Sequence, residues 1–277
     1  MFGSTVLEVA IGLVFCYASV SVVASSLYEG VASVFKLRAY TLLAGVKDLL
    51  NDGEFTGLAK DLYQHALVNP RSDGSATDGK APSVLPSYVD PKNFAMALID
   101  TLQKTPGDFQ ALKAKIDEVP DAQIRALLQG MYMRAGGAAG KFQDDLERWF
   151  DDGMARVSGA YKRMSQLWTF VIGLVIVIAL NIDTCRLFES LWNHPALVAQ
   201  ISAPNDQGAQ DALANVKNLE ALPIGWQKAP SSLLTIGGWL LTALSVLFGA
   251  PFWFDLLQRL VNLRGTGEKP GEKNEKK

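Results

Sequence analysis

The chain has 277 residues, 49% hydrophobic and 19% charged, with 26 basic against 28 acidic side chains and a formal net charge of −2. Nothing in this balance suggests a nucleic-acid-binding protein with a global basic field. Two cysteines, Cys16 and Cys185, cannot build a disulfide framework, and two histidines leave little material for metal or acid–base chemistry.

The first element is an apolar run over residues 5–27, with Glu8 as its only charge. A helix needs about 20 apolar residues to cross roughly 30 Å of hydrocarbon, so this run is read as transmembrane helix 1. Met1–Thr5 contains no Lys or Arg, so an uncleaved anchor fits better than a signal peptide. No proline occurs between Thr5 and Leu50, and Leu27, Val31, Val34, Phe35, Leu42, Leu43, Val46 and Leu49 recur at helical spacing. One helix is therefore expected to leave the membrane and end at Asn51-Asp52-Gly53.

Residues 28–165 are expected to form a cytoplasmic helical domain. Within it, residues 69–87 read as a polar, mobile Pro/Gly/Ser-rich loop. Short helices are expected to start at Asp90-Pro91, at Thr105-Pro106 with Asp108 three residues on, and at Pro120-Asp121, the last ending near Gly136-Gly137. From Lys141 to Ile182 there is again no proline, and Phe142, Leu146, Trp149, Phe150, Val157, Tyr161 and Met164 form an apolar stripe. The two long helices predict an antiparallel hairpin, with the short helices as a lid. No useful β-alternation appears.

Transmembrane helix 2 is placed at residues 166–183, an outer loop at 184–231 with a helix over Asp206 to Leu219, and transmembrane helix 3 at 232–254. Pro251 is expected to kink the third span. Beyond it, Asp255, Gln258, Arg259 and Asn262 share one face, with an Asp255–Arg259 pair predicted. Residues 255–265 read as a cytoplasmic amphipathic helix resting on the stripe at 27–50. Pro251, Trp253, Asp255 and Arg259 mark this membrane-exit joint, and residues 266–277 read as a disordered tail. Lys36, Arg38, Arg156, Lys162, Arg163, Arg259, Arg264 and Lys269 lie on one side of the spans; Arg186 and Lys228 lie on the other. The positive-inside rule then puts 28–165 and the tail in the cytoplasm, and the N-terminus and outer loop outside a bacterial inner membrane. Lys36, Arg38, Lys162 and Arg163 are the expected lipid-headgroup contacts, each worth about 1 kcal/mol.

Chemistry-bearing motifs are scarce. Asp144 shares a helix face with Asp151, and Asp145 with Asp152, but carboxylates two turns apart chelate poorly; a solvated face with an Asp152–Arg156 pair fits better. Glu8 is the candidate functional intramembrane acid, because a carboxylate is costly away from water. It also lies near the outer end, where it can reach the interface. Gly12, Ser19, Ala24 and Ser26 form a small-residue packing face. Nucleophile elbows, zinc motifs and phosphate loops do not occur, and Gly136–Lys141 reads as a helix-to-helix connection. His65 is expected to cap carbonyls at a helix end.

Four segments occur in order: Gly57–Leu67, Pro86–Asp100, Trp149–Arg163 and Gly249–Gly265. Together the chain resembles a broad group of bacterial inner-membrane proteins that carry no established activity. That group's His-containing stretch reads His-Pro-Leu, where this chain has His65-Ala66-Leu67. The resemblance implies location and architecture only.

The expectation is an all-α integral membrane protein with three transmembrane helices and a cytosolic helical hairpin domain. Its expected role is a non-enzymatic anchor or scaffold for cytosolic or membrane partners. The alternative is a subunit of an oligomeric channel or transporter using Glu8, Asn181 and Asp183. Expected partners are the bilayer, a protein bound by the cytoplasmic domain, and further copies in a homo-oligomer; no cofactor or metal is expected.

Overall fold

In a computed structural model of the chain, residues 2–103, 109–193, 225–226 and 233–265 are described. Their regular structure is helical: α1 Phe2–Val34, α2 Leu37–Leu49, α3 Leu58–Gln64, α4 Pro91–Leu102, α5 Phe109–Asp117, α6 Ala122–Ala135, α7 Ala139–Ala179, α8 Thr184–Asn193, α9 Leu233–Ser245 and α10 Ala250–Gly265. A 3-10 turn over Val246–Phe248 follows α9. Two helices, Thr5–Val34 and Ala139–Ala179, are long and apolar enough to cross a membrane; the bent pair α9–α10 makes a third if it counts as one span. The expected Thr105 cap, the helix over residues 206–219 and the tail 266–277 lie outside the described residues.

The chain divides into two compact units, Ala32–Arg163 and Met1–Val31 with Met164–Lys277. The unit Ala32–Arg163 carries its own hydrophobic core. Phe94 stacks on Phe150 at 4.0 Å, and Phe109 on Tyr132 at 4.7 Å with Phe142 edge-on. Local chemistry sets its helix ends. Asn51 adopts φ 48 just past α2, and the Asp52 carboxylate accepts from Thr56, Gly57 and Ala59 N–H to begin α3. Asp90 caps α4 by accepting from Lys92 N–H (3.0 Å), with Pro91 in the first turn. Asp121 caps α6 through Ile124 N–H (2.8 Å), and Gly136 ends it at φ 60. Such caps satisfy orphan backbone donors. Asp90→Ala is therefore expected to cost about 1 kcal/mol, read as faster amide exchange in α4.

Three expectations are corrected. The first helix does not run unbroken to Leu50: α1 ends at Val34, and Lys36 turns left-handed (φ 50) before α2 starts. Leu27, Val31, Val34 and Phe35 stay exposed, so no internal packing continues the stripe across this point. The third span is not one helix through 254. It breaks at Gly249 (φ 78), and α9 and α10 are bent by 98°. Pro251 sits in the first turn of α10, where its missing N–H is an orphan donor anyway, so it starts a helix and kinks none.

The loop 69–87, expected to be mobile, is tied down. The Asp73 carboxylate accepts from Ser75 N–H, from the Ser75 hydroxyl (2.5 Å) and from the Ser83 hydroxyl (2.6 Å). Asn69 donates to Val84 O, Gln64 to Ala76 O, and Gly79 N–H to Phe55 O. The Ser75 and Ser83 hydroxyls hold the Asp73 carboxyl at about 2, below its ordinary 3.8. A carboxyl lowered on folding stabilises the fold above its ordinary value and ceases to do so as pH falls through the lowered one. The loop is therefore expected to be fully held above about pH 4 and to loosen towards pH 2. Asp73→Asn should reproduce the loosening at pH 7, seen as faster tryptic cleavage at Arg71 and Lys80 than in the wild type.

Candidate functional site

In the unit formed by Met1–Val31 and Met164–Lys277, a polar cluster gathers where α7 ends. A helix end leaves its last carbonyls without intrahelical partners, and in an apolar surrounding each needs one. Here the donors come from far along the chain. Trp226 Nε1 donates to Ala179 O (3.0 Å), Gly225 N–H to Leu180 O (2.9 Å) and the Thr242 hydroxyl to Ile182 O (2.9 Å). Asn181, left-handed at φ 50, donates to Gly225 O and accepts from Trp239 Nε1. Its neighbour Asp183 caps α8, accepting from Cys185 N–H at 2.9 Å.

Three hydroxyls extend the cluster into α1. Tyr17 meets Thr184 at 3.1 Å, and Thr184 meets Thr242 at 2.8 Å. Each hydroxyl carries one proton, so every group is satisfied when Tyr17 donates to Thr184, Thr184 to Thr242, and Thr242 to a carbonyl. Tyr17 also packs on Trp253 (4.9 Å between rings), whose Nε1 donates to Ser245 O at 2.7 Å. The cluster joins α1, α8, α9 and α10 and holds each carboxylate and amide in a structural bond.

Asn181 and Asp183, two residues of the pore reading, are buried members of this joint. Glu8 is partly buried on α1. The small-residue face is confirmed in part: Gly12, Ser19 and Ala24 are buried, while Ser26 is only partly so. Trp253 and Leu257 pack into this unit's own core. Pro251, Asp255 and Arg259 are exposed. Among the described ion pairs, none joins Asp255 to Arg259 or Asp152 to Arg156.

The unit Ala32–Arg163 offers a different feature, an open groove of about 440 Å³ between α2, α6 and α7. Leu49, Leu127, Trp149, Met154 and Val157 supply its apolar wall; Asp48 and Arg156 are its charged members. Its backbone approach depends on two glycines: Gly45 faces Val157 and Gly153 faces Leu49. Lys36, Arg38, Lys162 and Arg163 are exposed on the same unit. Asp145 pairs with Arg148 at 2.6 Å, and among the described residues no group of three His, Cys, Asp or Glu could hold a metal ion. His65 accepts Leu67 N–H at Nδ1 and faces Asp100 at 3.7 Å, so it caps no carbonyl. Lys141 donates to Arg134 O across the turn between α6 and α7, as the connection reading expects.

Tyr17, Thr184, Thr242, Ser245 and Trp239 escaped the reading of the sequence. Their signal was polar or aromatic residues inside or beside apolar runs, but partners 58 and 167 positions apart are invisible to periodicity. No family model, curated protein or solved structure matches the chain.

Proposed function

We propose that the chain is a non-enzymatic, multi-pass protein of a bacterial inner membrane that anchors or scaffolds a cytoplasmic protein partner. The observation that carries this reading is the groove between α2, α6 and α7. It belongs to a unit with its own core, inserted in the chain between two helices apolar enough to cross a membrane. The apolar wall beside two opposite charges suits a partner helix with one apolar face. Lys36, Arg38, Lys162 and Arg163 then sit at lipid headgroups. Kinship with the bacterial membrane proteins described above, and homo-oligomers of this chain, belong to the same reading.

Reporter fusions at residues 75 and 208 are expected on opposite sides of the membrane; both on one side would overturn the topology. A pull-down after crosslinking from intact cells should recover one reproducible partner. Leu127→Asp together with Met154→Asp should remove that partner while leaving the protein in the membrane. Recovery unchanged by the pair of substitutions would end the groove reading. For the alternative, an oligomeric pore, Glu8 is the intramembrane acid to test, and Glu8→Gln should leave conductance in planar bilayers at the background level of the wild type.

A further inference from the structure

The segment after α9 has an amphipathic pattern that the two-sided packing of a buried helix does not require. α9 and its 3-10 turn hold 13 and 3 residues. At about 1.5 Å per residue they rise roughly 25 Å, nearly the depth of the hydrocarbon layer at about 30 Å. The whole of this rise presents uncharged surface: Leu233, Leu234, Ile236, Leu240, Leu241, Leu244 and Leu247 are exposed. At Gly249 the chain then turns through 98°. A helix that has nearly crossed and turns by a right angle runs along the bilayer surface.

The faces of α10 fit that course. Trp253 and Leu257 face the protein core, with Leu256 and Leu260 beside them. Asp255, Gln258, Arg259 and Asn262 are all exposed and, at 100° per residue, share one arc opposite Trp253. Between these arcs lie exposed apolar residues on both flanks, Phe252 on one and Val261 on the other. Phe252 stacks on the exposed Phe248 at 5.1 Å, and Phe252 packs edge-on against Trp253, which donates its indole N–H to Ser245 O. The corner is thus aromatic on its open side and locked by a hydrogen bond on its inner side. A polar arc flanked by aromatic and aliphatic side chains is the chemistry that a lipid headgroup boundary recognises.

We propose that α10 lies in the plane of the membrane as an interfacial helix, with Phe248, Phe252 and Val261 among lipid acyl chains and the Asp255–Asn262 arc in water. The occupant of its exposed apolar flanks is lipid, because Phe252 on one flank stacks on Phe248, which follows the exposed Leu244 and Leu247 of the uncharged face of α9 and its 3-10 turn. The proposal rests on the apolar span of α9 and does not depend on any protein partner of the unit Ala32–Arg163.

The test places single cysteines in a Cys185→Ser background, Cys16 being buried. Gln258→Cys, Asn262→Cys, Phe252→Cys and Val261→Cys are reconstituted in vesicles of phosphatidylethanolamine and phosphatidylglycerol and exposed to a membrane-impermeant maleimide. Expected is labelling of the 258 and 262 thiols from one side at least tenfold faster than the 252 and 261 thiols, with detergent removing the difference. Spin labels on the same thiols should report oxygen access at 252 and 261 and nickel-chelate access at 258 and 262. Equal fast labelling at all four positions would place α10 in water and overturn the proposal. Protection of all four from both sides would make it a buried or crossing helix and would overturn it equally. Two positions per face keep the comparison decisive if one variant fails to fold.

Discussion

Gly238→Ala is expected to disrupt the joint at the end of α7. A Cβ at Gly238 would fall on the Asp183 carboxylate, with Cys185 N only 3.3 Å away behind it. The carboxylate must therefore leave its place, releasing Cys185 N–H and Arg186 N–H at the start of α8. Overpacking costs about 1–3 kcal/mol and a lost aspartate cap about 1 kcal/mol. Alanine returns about 1 kcal/mol of helix propensity, so a net loss of about 1–3 kcal/mol is expected.

Gly237 is the internal control. Nothing lies within 4 Å of its added Cβ, so Gly237→Ala should be neutral or slightly stabilising. Thermal unfolding in detergent, followed by tryptophan fluorescence, should separate the two neighbours by several degrees. In an Asp183→Ala background the Gly238→Ala effect should shrink, as coupled residues are not additive. Equal melting of the Gly237 and Gly238 variants would show that the close approach carries no weight.

The second large effect is expected at Gly45, where α2 crosses α7. An added Cβ would stand 2.7 and 2.9 Å from the two methyls of Val157 and 3.3 Å from its Cβ. Valine is branched at Cβ and holds one χ1 rotamer in a helix, so the helices must separate. Gly45→Ala should cost about 1–3 kcal/mol before the propensity gain. At Gly153 the nearest atom is Leu49 Cδ1, also at 2.7 Å, but this is the free end of a flexible side chain. Gly153→Ala should therefore stay within about 1 kcal/mol of the wild type.

A chain of two units need not unfold in one step, so the readout is local: amide exchange across α2 and the first half of α7. Gly45→Ala should speed exchange there, and a second change, Val157→Ala, should restore protection by removing the opposing methyls. Failure of that rescue would mean that Gly45 matters for a reason other than the crossing.

Legibility followed the range of the interaction. Asp90, Asp121, Asn51 and Gly136 were readable because a cap or a left-handed turn involves residues within four positions. The apolar segments were readable because hydropathy is a sum over neighbours. The break at Lys36 was not, since neither proline nor glycine marks it. The break near 250 was sensed through Pro251 yet belongs to Gly249, whose positive φ lets the chain turn before the proline starts the next helix. Asp73 was read as part of a mobile loop, because its holding partner Ser83 lies ten positions on.

By itself the sequence determined that the protein is helical, that at least two of its helices are apolar enough to cross a membrane, and where α4 and α6 begin. Those properties arise from propensity, hydration and capping, which act along the chain. Only the tertiary structure decided that Thr242 would serve Ile182, that Gly238 would make room for Asp183, and that α10 would turn its Trp253 against Tyr17. Buried polar groups accept whatever partner the packed helices bring within about 3 Å, and that meeting is fixed by the fold as a whole.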